Sequence, residues 1–491
     1  MLPIYDVQQM REMDARLAAA SSLDAVIDRA GYGIALLALK MLGAAYGKRV
    51  AVLAGKGNNG NDGRAAARVL GNWGAKAEVQ DYPDVDTARL AGADLVIDAV
   101  FGFGFRGDFP GIGAPNGIPL LAVDVPSGLE ATDGRACEST RAADVTLSLV
   151  GLKAGQLMGD GPGLMGETYL YRLVGDVPAV VPSGRLIEPE DIRISRRPVT
   201  SHKWSTGMAV LAGSAGMMGA AAFTAAAALA GGAGIVHLLA EDPAAANLAM
   251  APLASGTVSV GARFDGSGWE PAPDLNRYKA IVIGPGRGKG AGAELAALAK
   301  GFAGPLVIDA DAITAIAADP HLAGLIAGRA GATVLTPHGA ELSRLAKALG
   351  MGTDHDSLTR WAVSGGFHLL VKGYPTRVYT PSGGFMAIPA NGPALASAGT
   401  GDVLAGLLGA RLAQGGATEA AISEAVVAHG LAAQLEGTEP ATASRVLARV
   451  PEALEMLRAF QPRKWPAPFH PVGSRGPLYF PSQSSIDWSR R

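Results

Sequence analysis

Arg49-Val-Ala-Val-Leu-Ala-Gly-Lys-Gly-Asn-Asn-Gly-Asn-Asp62 passes from an apolar run through a glycine-rich turn into a helix-forming segment over residues 62–73. A short apolar run closed by such a turn reads as a buried strand. Working outward, residues 6–20 and 23–46 carry helical patterns. Further apolar runs at 76–80, 94–100, 119–125 and 144–150 each end in Gly, Pro or a charged residue. Strands alternating with helices predict a doubly wound, mostly parallel α/β sheet. Ligands of such sheets bind beyond the carboxyl ends of the strands, which points to residues 55–62, 98–108 and 124–128.

The whole chain has 491 residues, room for roughly two to four domains. Lys plus Arg number 42 against 44 Asp plus Glu, so no basic surplus exists to neutralise a nucleic-acid backbone. With one cysteine, Cys137, neither a disulfide framework nor a thiolate metal site can form within the chain, and a reducing, cytoplasmic setting is expected. The 67 glycines are roughly twice the average usage and imply many close backbone approaches. Asp6, Arg11, Glu12, Asp14 and Arg16 interrupt any apolar signal-peptide core, so secretion is not expected. Residues 204–240 contain no Asp, Glu, Lys or Arg and are long enough to span a membrane. They are mostly Gly and Ala, with Ser205, Thr206, Ser214, Thr224 and His237 among them, so their hydrophobicity is low and no membrane partner is expected.

Around residues 181–200 the composition shifts, with Pro182, Pro189, Pro198 and a charged run. This is the linker candidate. The expected organisation is a first domain over residues 1–185, a linker over 186–200, a second α/β domain over 201–462, and a disordered tail over 463–491, rich in Pro, Ser and Arg. In the second domain strand-like runs recur at 208–212, 234–240, 279–284, 305–309, 332–336 and 368–372.

Gly55, Gly57 and Gly60 satisfy a G-x-G-x-x-G pattern, with Glu78 downstream, which leaves a dinucleotide-binding redox domain open. Asn61-Asp62 stands where a P-loop needs Lys-Ser/Thr, so a Walker site fails. Adjacent asparagines at a loop tip, such as Asn58 and Asn59, more often cap a helix or make local turns than bind a ligand. Asp98 lies within an apolar run, where an unpaired charge costs several kcal/mol, so it calls for a cation or a dense hydrogen-bond shell. Asp124 and Ser127 stand at another strand end. Asn, Asp and Ser oxygens suit an alkali or alkaline-earth ion, and Arg106 among glycines suits a phosphate.

Several separated motifs then occur in order: Gln9-Met10 with Asp14, Arg29-Ala-Gly31, Asn58-Asn-Gly-Asn-Asp62, Asp98-Ala-Val-Phe-Gly-Phe-Gly104 with Arg106, Asp124-Val-Pro-Ser-Gly128 and Lys153-Ala-Gly155. Together they resemble the NAD(P)H-hydrate epimerase family, which implies a Rossmann-like three-layer sandwich. The resemblance implies that Asn58, Asn59, Gly60, Asn61 and Asp62 hold a hydrated nicotinamide nucleotide. Gly102, Phe103, Gly104, Phe105, Arg106, Gly107 and Asp108 form the second binding loop, and Asp124 the third contact. A potassium ion is implied on Asn59, Asp98 and Ser127. Asp124 is the candidate acid/base for departure of the C6 hydroxyl and return of water on the other face. The family usually has Gly at Asn61; were φ positive there, Asn would be the least costly substitute. Lys153 stays ambiguous, since a lysine at a strand end is usually solvated.

In the second half, Asn391-Gly-Pro-Ala-Leu-Ala-Ser-Ala-Gly-Thr-Gly-Asp402 precedes a helical pattern. Small residues at a helix start let backbone N–H groups converge on a phosphate, although Thr400 or Asp402 could serve only as a cap. The strand-end loops follow the order of a ribokinase-like fold. Ser201-His-Lys203, Gly213-Ser-Ala-Gly-Met-Met-Gly-Ala-Ala222, Gly284-Pro-Gly286, Asp309-Ala-Asp-Ala312, Leu335-Thr-Pro-His338 with Glu341, Lys372-Gly373 and Gly399-Thr-Gly-Asp402 look like the NAD(P)H-hydrate dehydratase family. That resemblance implies that Ala221, Gly286, His338 and Asp402 contact the hydrate. Lys372, Gly373, Tyr374, Pro375, Thr376 and Gly401 would hold ADP, and Gly399, Thr400 and Gly401 would form an anion hole acting with Mg²⁺. Asp402 would be the general base. The Asn391-Gly392 order departs from the family's Gly-Asn.

The implied protein is a cytoplasmic homo-oligomer repairing NAD(P)H hydrates: one domain equilibrates the R and S forms, and the other dehydrates the S form at the expense of ADP, releasing AMP and phosphate. Two alternatives are a small-molecule kinase that leaves phosphate on its product, and a first domain that only senses or scaffolds. His429 reads as a packed helix histidine, and His202 as a loop residue.

Overall fold

In the computed structural model Arg49–Ala54 is a strand, and the helix after it spans Asn58–Asn72. That helix begins at Asn58 rather than Asp62, so the asparagine run is its first turn and not a free loop. Gly60 permits this, because a Cβ there would lie 1.9 Å from the Gly55 carbonyl oxygen. Asn61 donates its N–H to Gly57 O at 3.1 Å and is not among the residues of positive φ. Its backbone is one any residue adopts, so the departure from Gly imposes no backbone strain.

The structure describes residues 1–173, 180–194, 197–240, 242–250, 256–266, 268–270, 272–389, 392–437, 440–459 and 469–472. They form two compact units that divide between Leu186 and Ile187. Part of the expected linker is not a spacer: Ile187, Ile192 and Ile194 are buried in the core of the second unit. The apolar residues spaced through this Pro-rich stretch outweigh its charges. The expected disordered tail contains a strand, Phe469–Val472, antiparallel to Glu167–Tyr171. The Phe469 ring packs 5.3 Å from that of Tyr171, an apolar anchor that the composition of the segment masks.

In the first unit the sheet order is Phe469–Val472, Glu167–Tyr171, Val145–Leu149, Leu120–Val123, Leu95–Ala99, Arg49–Ala54, Lys76–Asp81. All pairs but the first are parallel. The strands Leu95–Ala99, Leu120–Val123 and Val145–Leu149 are buried at every position, as strands covered on both faces must be. Helices Leu23–Leu42 and Asn58–Asn72 cover one face. Phe105, Phe109 and Ile112 cover the other. Helix Val7–Ala20 starts at a reciprocal cap, Gln9 N to Asp6 Oδ1 at 2.7 Å and Asp6 N to Gln9 Oε1 at 3.0 Å. Before it, Leu2–Tyr5 pairs with Leu152–Lys153, setting Tyr5 beside Lys153.

The second unit has parallel strands in the order Thr257–Gly261, Ile235–Ala240, Gly207–Leu211, Ala280–Ile283, Leu306–Ile308, Thr333–Leu335, His368–Val371. An antiparallel hairpin, Thr376–Tyr379 with Phe385–Ile388, extends it. Helix Thr400–Leu412 is buried from Val403 to Leu412 and lies tight against Met218–Ala230: a Cβ on Gly406 would fall 2.0 Å from Thr224 O. The charge-free segment 204–240 resolves into strand, helix and strand. No helix among the described residues is long and apolar enough to cross a membrane.

Candidate functional site

In the first unit the chain reverses direction across the sheet beside Arg49–Ala54, flanked by Lys76–Asp81 and Leu95–Ala99. A cavity of about 850 Å³ opens there, lined by Asn58, Asn59, Asp62, Gly102 to Arg106, Asp108 and Asp124. Asp124 follows the strand Leu120–Val123 and has φ +70°, a conformation costly for most side chains but less so for Asp. Its Oδ2 accepts from Phe103 N at 3.0 Å, and its Oδ1 from Leu149 N at 3.3 Å and from the Lys153 ammonium. The other Lys153 protons go to Leu149 O at 2.9 Å and Ser148 Oγ at 3.4 Å. Lys153 is 0% exposed. The ambiguity left by the sequence is thereby resolved against the solvated reading: the pairing of its two-residue strand with Leu2–Tyr5 covers it.

Asp98 is buried as well and accepts from Ser127 Oγ at 2.6 Å, Ser127 N at 2.8 Å and Val100 N at 3.2 Å. Burial pushes its carboxyl pKa up, against those hydrogen bonds. No cationic side chain pairs with it among the described residues. Asn59 Oδ1 and Asp124 Oδ2 converge on Gly102, where a Cβ would lie 3.3 and 3.2 Å from them. Asn59, Asp98 and Ser127 each offer hard oxygen atoms, the chemistry of a weakly polarising cation rather than of a soft metal.

Other members of the binding loops do structural work. Phe105 is buried, its ring 5.2 Å from Phe101 and 6.0 Å from Phe109, so it anchors the loop that carries Gly102 and Gly104. Arg106 is held by Glu130 at 3.0 Å and by Thr132 Oγ1 at 2.7 Å. Arg135, then Arg106, keeps the Glu130 carboxyl below its usual range. Gly107 has φ +91° and turns the loop toward Asp108.

In the second unit the loops after Ile283, Ile308, Leu335 and Val371 carry the polar groups. Lys372 Nζ donates to Asp309 Oδ1 at 2.8 Å and lies 3.9 Å from Glu341. Thr336 Oγ1 donates to the same Asp309 oxygen at 2.7 Å. Burial alone would lower the lysine, but Asp309 and Glu341, with a smaller contribution from Asp402, hold it above its usual value. Ala310, between Asp309 and Asp311, takes φ +48°, a strained turn of the kind found at functional positions. Asp311 accepts from Gly288 N at 2.8 Å. Asp309 as partner of Lys372 was missed from sequence, where it shows only as the aspartate that ends an apolar run and opens the Asp309-Ala-Asp-Ala312 motif.

Helix Thr400–Leu412 begins after Gly399 at φ +90°, and no side chain caps it. The Thr400 N–H goes to Ser397 O at 3.4 Å and the Val403 N–H to Gly399 O at 3.1 Å, which leaves those of Gly401 and Asp402, without an acceptor among the described residues, available to an anion. A Cβ on Gly401 would stand 3.6 Å from Lys372 Nζ, which brings the helix start, the lysine and Asp402 together. Burial, then Asp309, pushes the Asp402 carboxyl up to about 6. The Thr400 hydroxyl is spent on Leu395 O and Ser397 O, at 2.9 and 2.8 Å. Thr376 is buried and bonds Gly373 O at 3.4 Å, whereas Tyr374 is exposed. His338 is half-exposed and caps the helix Gly339–Leu349. The Gly286 carbonyl accepts from Ser214 Oγ at 2.9 Å. Ala221 has no exposed surface and packs under Gly213, so its side chain offers a ligand nothing. Asn391 lies outside the described residues. His429 is buried, as its helical setting suggested.

Two α/β units, each gathering charged side chains at the ends of its strands, define a two-domain α/β protein. A family model for NAD(P)H-hydrate dehydratase matches residues 208–452, and one for the YjeF-related protein N-terminus matches residues 23–91 and 80–155. The bifunctional NAD(P)H-hydrate repair enzyme of Gloeobacter violaceus is 32% identical over 478 residues, covering 87% of this chain and 92% of its own. That of Mycobacterium leprae is 31% identical, covering 92% and 99%. A solved ADP/ATP-dependent NAD(P)H-hydrate dehydratase from Bacillus subtilis is 23% identical, covering 55% of this chain and 97% of its own, with a TM-score of 0.44. The chain belongs to the family of bifunctional NAD(P)H-hydrate repair enzymes.

Proposed function

We propose that the first unit interconverts the R and S hydrates of NADH and NADPH. The second unit dehydrates the S hydrate with ADP, releasing AMP and phosphate and restoring NAD(P)H. The observation that carries this reading is the pair of separate charged sites: the cavity closed around Asp124, and the helix start that joins Asp402 to Lys372.

In the first unit Asn58, Asn59, Gly60, Asn61 and Asp62, the loop from Gly102 to Asp108, and Asp124 hold the hydrate. The hydroxyl at C6 leaves as water when a proton reaches its oxygen and the N1 lone pair forms N1=C6. Water adds on the other face and gives up a proton. Asp124 handles one of these protons. Potassium on Asn59, Asp98 and Ser127 would supply positive charge beside the buried carboxylates.

In the second unit Gly286, His338 and Asp402 face the hydrate, and Lys372, Gly373, Tyr374, Pro375 and Gly401 the ADP. Asp402 takes the C6 hydroxyl proton while that oxygen attacks the β-phosphorus and AMP departs. The C6–O bond then breaks to release phosphate, and loss of a C5 proton restores the C5=C6 double bond. The N–H groups after Gly399 receive phosphoryl charge. Mg²⁺ arriving with the nucleotide would neutralise more of it, a role that needs few protein carboxylates.

The activities are assigned to residues 1–185 and 201–462. The single Cys137 supports a reducing, cytoplasmic setting, and light scattering of the purified chain tests the expected homo-oligomer. The deciding experiment supplies racemic hydrated NADH with ADP and Mg²⁺ and follows recovery of the near-ultraviolet absorbance of the reduced ring. Full recovery, faster than spontaneous epimer exchange, is expected. Recovery halting near half would remove the epimerase assignment, and no recovery would return the protein to the kinase alternative.

A further inference from the structure

Helix Val7–Ala20 buries Val7, Met10, Met13 and Leu17. Asp14 falls on the same stripe, between Met10 and Leu17 at helical spacing, and a carboxyl at such a position needs a reason. It is partly buried and lines the cavity together with Met10 and Leu17. No side chain or backbone group hydrogen-bonds it among the described residues. Asp62, 9% exposed on helix Asn58–Asn72, lines the same cavity and is likewise without a hydrogen-bond partner there. Three elements therefore bring Asp14, Asp62 and Asp124 to a space that Asp108 also lines, and of the first three only Asp124 is ion-paired among the described residues, by Lys153.

An acid/base cycle that removes a hydroxyl from one face of a ring and returns water to the other needs two proton-handling groups, and an ion-paired Asp124 supplies one. We propose that Asp14 is the second catalytic carboxyl of the first unit, giving a proton to the departing C6 oxygen while Asp124 receives one from the incoming water, with roles exchanged in reverse. The pair carries one proton in total: a forward turnover moves it from Asp14 to Asp124, the state that serves the reverse reaction, and exchange with solvent returns it to Asp14 before the next forward one. This rests on the epimerase reading above.

Burial, then the charge of Asp124, pushes the Asp14 carboxyl up to about 6, with Lys153 pulling the other way. Burial, then Asp124 and Asp14, takes Asp62 to about 8. The charged groups facing Asp14 are thus Asp62, Asp124 and Lys153, and Lys56, Arg106 and Asp108 complete the lining. A group titrating near 6 holds a proton often enough to donate it and releases it readily enough to accept another.

The test uses the full-length protein and an epimer-resolved assay. Asp14→Asn is expected to lower kcat for epimer interconversion about 100-fold or more, to leave KM within a few-fold, and to leave ADP-dependent dehydration of the S hydrate unchanged. The native rate should decline on the alkaline side of a limb near pH 6, and the variant should lack that limb. Epimerisation by Asp14→Asn within threefold of native overturns the proposal while the epimerase reading stands. A native protein that does not accelerate exchange overturns both. Should Asp14→Asn not fold, Asp14→Ser decides on the same criteria.

Discussion

The ammonium of Lys153, fully buried, donates to the carboxylate of Asp124, which stands at the floor of the first unit's cavity with φ +70°. Leu149 and Ser148 take the remaining lysine protons, and Phe103 N and Leu149 N hold the carboxylate in place. A buried pair of this kind fixes position at some cost in desolvation, and losing one partner leaves an uncompensated charge.

Lys153→Met is therefore expected to destabilise the first unit by about 3–5 kcal/mol and to abolish epimer interconversion. Dehydration of purified S hydrate should persist at temperatures where the second unit is folded. Adding Asp124→Asn to it should recover stability but not activity. Calorimetry and an epimer-resolved assay read the two effects separately, and unchanged melting of the single variant would remove the structural role argued for Lys153.

For the second unit, Asp402 must be ionised to act as a base, and its carboxyl titrates near 6. The kcat/KM of dehydration should be flat above that value and fall about tenfold per pH unit below it. Asp402→Asn should remove the activity with ADP binding retained. A rate independent of pH between 5 and 7 would exclude Asp402 as the base.

Lys372 lowers the pKa of Asp402 and neutralises Asp309. Lys372→Met should weaken ADP binding and move the acid limb of the residual rate to higher pH. Titration calorimetry with ADP and the variant's pH profile check each half. A limb that stays in place would show that the ammonium does not act on Asp402.

His429 is fully buried, and desolvation, first among its causes, lowers its pKa from 6.5 to about 4. The unfolded chain binds this proton between those values and the folded one does not, so stability is complete above 6.5 and is lost as pH falls toward 4. The loss is about 1.4 kcal/mol per pH unit within that window. Melting of the second unit should drop accordingly, and His429→Leu should flatten the dependence.

Much of this architecture was legible in the sequence because its central strands are continuous apolar runs bounded by Gly, Pro or charge, a pattern that needs no knowledge of neighbours. Short elements escaped it. Leu2–Tyr5 sits at the terminus, Leu152–Lys153 is two residues long, and Phe469–Val472 is hidden in a Pro-rich segment. Asp98, Asp124, Lys372 and Asp402 could be picked out because polar groups at strand or helix ends are conspicuous. Asp309 carries the same signal but gains meaning only beside Lys372, and Asp14, present in the motif set, gains a role only once the stripe of its helix is known to face a cavity.

By itself the sequence determined two α/β units, the loops at their strand ends, and the family to which those motifs point, since these follow from local periodicity and residue order. Only the tertiary structure decided charge states and partners. It buried Lys153 against Asp124, turned the asparagine run into the first turn of a helix, buried the Ala221 side chain, turned the Thr400 hydroxyl onto the carbonyls of Leu395 and Ser397, and left Asp14 and Asp62 without a hydrogen-bond partner among the described residues. A carboxyl's chemistry depends on what lies within a few ångströms of it, and in a parallel sheet those neighbours come from distant strands.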